Sequence, residues 1–129
     1  MSASPDAAEA GRWLRFAEEE LALARALVSD PEAPARLACW HAQQAAEKAL
    51  KAALVVRGTE FPRTHNLLAL RALLTLELAA RMDLVALAEL TQWAVESRYP
   101  GDWDEPAAEE ARASLLTAET VVAAVREAE

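Results

Sequence analysis

The chain has 129 residues, of which 53% are hydrophobic, with 3 Gly, 6 Pro, one Cys and a formal charge of −8. A chain of this length supports one core and one domain, residues 1–129, and its many alanines and few β-branched residues predict an all-α fold. The acidic balance excludes indiscriminate binding to nucleic-acid backbone. The absence of any uncharged apolar run of about 18 residues excludes a membrane span, and a lone Cys39 excludes an internal disulfide or a Cys-rich metal site.

The opening MSASPDAAEAG has neither a basic n-region nor an apolar signal core, so a soluble, cytoplasmic chain is expected. A first helix is predicted from Asp6 or Ala8 to Val28, with apolar residues at Trp13, Phe16, Leu21, Leu23, Ala24, Leu27 and Val28, several of them three or four apart. The prolines of SDPEAP end it. A second helix is predicted from Ala33 to Arg57, closed by Gly58, which suits a left-handed C-terminal position. A short connection makes these two an antiparallel hairpin.

On the second helix, Ala38, Ala42, Ala45, Ala46, Ala49, Ala52 and Ala53 fall on one arc of about 120° at 100° per residue. That face lets another backbone approach closely. Trp40, His41, Gln43, Gln44, Glu47, Lys48 and Lys51 occupy the rest. Glu47 and Lys51 form a favourable i,i+4 pair, and a tryptophan on this arc predicts that the polar band is partly covered. The band lies in the only basic third of the chain: residues 36–71 carry six basic and two acidic side chains, against three and seven in residues 1–35 and four and twelve in residues 72–129. Cys39 is read as a small core or interface residue.

Beyond GTEFPRTHN, a third helix is predicted from Asn66 to Ala79 with Thr64 as N-cap. A fourth runs from an Asp83 cap to Ser97, and a fifth opens at Asp104 or Glu105 ahead of Pro106 and runs to Glu127. The result is an up-and-down antiparallel helical bundle of about five helices. His65 precedes the third helix. Arg98 and Tyr99 sit in the RYPGDW loop, where a guanidinium fork suits phosphate. No zinc spacing, phosphate loop or nucleophile elbow is present, so no metal and no cofactor is expected.

Taken in order, WLRFAEEELALARALV, CWHAQQAAEKALKAALVVRG, FPRTHNLLAL and SRYPGD resemble the HEPN domain family across nearly the whole chain. The resemblance implies a helical bundle that forms homodimers and works beside a minimal nucleotidyltransferase. Some members bind nucleotides, and many are RNA-cleaving toxins silenced by their partner. The nuclease members carry a histidine four to six residues after an arginine in the loop before a late helix. Here the matching arginine is Arg98, but RYPGDWDEP supplies no histidine. Arg36 and His41 satisfy that spacing only arithmetically, about 140° apart around the second helix. The expected function is therefore nucleotide or RNA binding without strong catalysis, through Gln44, Lys48, Lys51, Arg98 and Tyr99, with a nucleotidyltransferase partner. One alternative is a metal-independent ribonuclease toxin using His65 as acid or base and Arg98 as phosphate clamp. The other is a purely structural interaction module.

Overall fold

The computed structural model describes residues 5–94, 101 and 104–128. Among them are six helices and no strand: α1 (Pro5–Val28), α2 (Ala35–Val56), α3 (Leu67–Arg71), α4 (Leu76–Ala79), α5 (Leu84–Thr91) and α6 (Ala108–Ala128).

The bundle is built around α2. Its predicted alanine face is buried throughout: Ala38, Ala42, Ala45, Ala46, Ala49, Ala52 and Ala53 are all at most 4% exposed. Methyl-sized side chains let α1 and α6 approach the α2 backbone closely. From α1 come Ala17, Leu21 and Ala24, and from α6 Ala118, Val121, Val122 and Val125, all buried in the same core. Cys39 lies in it too, fully buried, and desolvation pushes its thiol pKa up despite a hydrogen bond with Ser114 of α6. Its full burial among apolar neighbours makes it a packing residue, as expected.

Surface ion pairs fix the helix directions. Arg25 meets Glu119 at 2.8 Å and Glu18 meets Arg126 at 3.3 Å, so α1 and α6 run antiparallel. Glu20 meets Lys48 at 2.6 Å while Trp13 lies beside Lys51, so α1 and α2 are antiparallel as well. It follows that α2 and α6 run the same way, because α3 to α5 carry the chain back in short pieces.

The predicted boundaries change most in that return, and α6 opens at Ala108 instead of Asp104 or Glu105, residues 104–107 being non-helical. The single helix expected over 66–79 is two, since Thr75 adopts extended backbone (φ −63°, ψ 152°) and its hydroxyl caps the Leu78 N–H. A cap residue competes with the helix it interrupts. The break buries both Leu70 and Leu78. Asn66, not Thr64, caps α3, accepting from the Leu68 and Ala69 N–H groups, while Thr64 Oγ1 accepts from the Asn66 N–H. Asp83 caps α5 as expected. Within the described residues α5 ends at Thr91, and residues 95–97 of its predicted span lie outside them. Gly58 takes the left-handed conformation, φ 68°, immediately after α2.

Candidate functional site

One α2 carboxylate organises the polar band. Glu47 is 4% exposed. Its Oε1 accepts from His65 Nδ1 at 2.8 Å and from Gln43 Nε2 at 3.2 Å, and its Oε2 accepts from Lys51 Nζ at 2.8 Å. Burying a carboxylate this deeply requires such partners. Gln43, also buried, donates to the His65 carbonyl at 3.0 Å and accepts from Gln44 Nε2 at 2.9 Å. The loop before α3 is thereby tied to α2 by both the backbone and the side chain of His65. Because a carboxylate only accepts, the imidazole hydrogen of this pair sits on Nδ1, which fixes the ring's tautomer and orientation.

A second carboxylate repeats the pattern between α1 and α2. Glu20 accepts from His41 Nδ1 and from Lys48 Nζ, each at 2.6 Å. His41 and Lys48 are seven residues apart, two turns along one face. Trp40, half-buried, packs its ring 4.8 Å from that of His41. Burial pushes the Glu20 carboxyl pKa up, but the Lys48 and His41 hydrogen bonds and charges outweigh it and hold the group below its ordinary value. A carboxylate with a depressed folded-state pKa adds stability above the unfolded value and loses it as pH falls through the folded one. Glu20→Gln should therefore lie furthest below the parent in urea-midpoint stability at neutral pH. The gap should close as the pH drops past the ordinary carboxylate range.

Where the Glu47 end of the band meets the surface there is an open cavity of about 450 Å³, lined by Trp13 of α1, Lys51 of α2 and Phe61, Arg63, Thr64 and His65 of the connecting loop. Lys51 Nζ sits 5.6 Å from the Trp13 ring centre and 6.0 Å from that of Phe61. Held by Glu47, the ammonium faces both rings at cation–π range. The cavity thus combines two cations, two aromatic rings, a hydroxyl and an oriented imidazole.

Of the residues singled out in the sequence, Lys51 and His65 line this cavity. Gln44 lies further along the band on Gln43, and Lys48 is committed to Glu20. Arg98 and Tyr99 lie outside the described residues. The sequence presents Trp13 as an apolar position of the first helix and Gln43 as part of the polar band, whereas Glu20, Phe61 and Arg63 were not singled out. A signal existed for Glu20: Trp13, Ala17, Glu20 and Ala24 are spaced four, three and four apart, so a carboxylate stands on the inward stripe of α1. Phe61 and Arg63 carry no such signal, because a loop has no period. Among the described residues, no group of three or more His, Cys, Asp or Glu side chains is arranged to hold a metal ion, and no helix is long and apolar enough to cross a membrane.

The family model described as HEPN domain matches residues 10–128, which takes in α6 and all but the start of α1. The chain belongs to the HEPN domain family. Two solved structures are similar to the chain over most of their length, one of them itself a HEPN homologue. TT1696 from Thermus thermophilus is 30% identical with a TM-score of 0.71, and ST0689, an archaeal HEPN homologue, is 27% identical with a TM-score of 0.69. Each alignment covers 92% of this chain and 96% of the other. No curated protein matches the sequence.

Proposed function

We propose that this HEPN domain binds a nucleotide or the end of an RNA in the Trp13–His65 cavity, acting as a homodimer with a minimal nucleotidyltransferase partner and without strong catalysis of its own. The observation that carries the reading is the pairing of Lys51 and Arg63 with the Trp13 and Phe61 rings around one cavity of about 450 Å³. Such a volume falls in the range of small-molecule sites. Aromatic faces stack on bases without regard to sequence, and a guanidinium and an ammonium serve the phosphate. Only one Lys51 hydrogen is needed for Glu47, which leaves donors for a ligand oxygen. In this reading Arg63 joins Lys51 at the phosphate in place of the expected Lys48, because Lys48 does not line the cavity. Arg98 and Tyr99 stay in the proposal as further contacts from the RYPGDW loop.

Titration of labelled mononucleotides and short RNA tests this. Binding should weaken with salt, and Lys51→Ala with Arg63→Ala should raise Kd roughly 10- to 100-fold, as expected for the loss of two charge-assisted contacts. Absence of salt-sensitive binding, or a Kd untouched by the double change, rejects it. The Glu47–His65 pair favours one second reading, a metal-independent ribonuclease in which the buried carboxylate orients the imidazole. RNA cleavage that disappears in His65→Ala would select that reading. Co-purification with a nucleotidyltransferase-type partner tests the remaining part.

A further inference from the structure

On the side of the fold formed by α5 and α6, sharing no lining residue with the cavity above, two recesses form a continuous seam. One of about 170 Å³ is floored by Met82, Leu87 and Val121, and one of about 60 Å³ by Leu90 and Trp93; Ala86 and Thr117 border both. Together they extend from Glu110 to Val121 on α6, about 16 Å at 1.5 Å per residue. Gln92 and Ser114 add polar groups to the smaller recess, but the two threonines on the wall of the larger one turn their hydroxyls inward, onto their own helix. Thr117 Oγ1 donates to the Ala113 carbonyl at 3.1 Å and Thr120 Oγ1 to the Leu116 carbonyl at 3.0 Å, so neither hydroxyl hydrogen is available to the seam. Leu116, at the rim of the larger recess, is 64% exposed.

The charge around this apolar floor has one sign. Among the described residues, the charged side chains lining the two recesses are Asp83, Glu89 and Glu110, all acidic. A second copy docked seam to seam would set Asp83, Glu89 and Glu110 against their own counterparts, and a nucleic acid would bring phosphates. A basic partner is the complement to this surface. The larger recess matches one large aliphatic side chain and the smaller one a methyl-sized group, about one helical turn apart, which is how an amphipathic helix presents its anchors to a groove.

We propose that the α5–α6 seam docks a basic amphipathic helix of a partner protein, with a large apolar anchor over Leu87 and Val121, a small one beside Ala86 and Trp93, and lysine or arginine side chains reaching Asp83, Glu89 and Glu110. This stands apart from the proposed nucleotide site, and either proposal can fail without the other.

The probe is a labelled helical peptide with a leucine and alanine stripe flanked by lysines, titrated by fluorescence anisotropy into the full chain beside a matched peptide flanked by glutamates. The lysine peptide should bind at least tenfold more tightly than the glutamate peptide. Thr117→Arg, which fills the seam between the recesses, should abolish that binding, and Glu89→Lys, a change on the exposed rim, should weaken it severalfold. Circular dichroism reports whether each variant retains the fold, and Glu89→Lys decides the question if Thr117→Arg does not. No binding of the lysine peptide, equal binding of both peptides, or a Kd unchanged by Glu89→Lys overturns the proposal. So does sedimentation showing a homodimer that Glu89→Lys dissociates, since that would assign the seam to a second copy.

Discussion

Glu47→Ala is expected to destabilise the fold by about 3–5 kcal/mol, the cost of removing one partner from a buried ion pair. In a domain of this size that corresponds to a melting temperature lower by on the order of 15 °C. The loss is large because three donors depend on one carboxylate. Gln43, Lys51 and His65 would all lose an acceptor, and Gln43 cannot turn to water without repacking, since its side chain is fully buried. Two companions separate charge from packing. Glu47→Gln keeps the shape and one carbonyl acceptor and should cost less. The double change Glu47→Leu with Lys51→Leu should cost less than the sum of its parts, because an apolar pair carries no desolvation penalty. Urea midpoints for the variants measure both. An additive double variant would show that Glu47 and Lys51 do not act as a pair.

Ala49→Leu should be the most damaging of the conservative-looking substitutions. Ala49 is 0% exposed on the face of α2 that packs into the core. Leucine adds three carbons where the structure has no room for them, and overpacking of this kind costs about 1–3 kcal/mol or more by forcing helices apart. The same change at Ala22, exposed on α1, should stay within about 0.5 kcal/mol, since surface substitutions rarely exceed that. Thermal melts of the two variants decide between a tightly packed alanine face and one that merely lacks bulk. Equal melting temperatures would exclude the tight packing.

The alanine face is readable because it obeys a period: seven alanines return to one arc, and all seven are buried. The long helices α1, α2 and α6 are legible for the same reason, together with the prolines that end α1 and the Gly58 that closes α2. The stretch from Asn66 to Ala79 reads as one helix because a run rich in leucine has apolar residues on every side. Nothing in that pattern reveals that Thr75 caps a new turn instead of continuing the old one. At the candidate site, the pairing of Glu47 with Lys51 follows from i,i+4 spacing alone. The Glu47–His65 and Glu20–Lys48 pairs do not, because each joins groups whose separation in sequence, 18 and 28 residues, says nothing about distance in the fold. Phe61 and Arg63 become site residues only once the loop that carries them is placed beside Trp13.

That loop is fastened at both ends. Gly58 turns the chain off α2 through a left-handed conformation, and Gln43 holds the His65 carbonyl against the same helix. Between these clasps, Phe61, Arg63 and Thr64 supply half of the cavity's lining and none of the bundle's fully buried core. The frame and much of the contact surface are therefore separable: Arg63 belongs to the cavity alone, while Phe61 also packs on the edge of the core and Thr64 also holds the Asn66 N–H. A domain built this way can acquire a new ligand preference without refolding its interior.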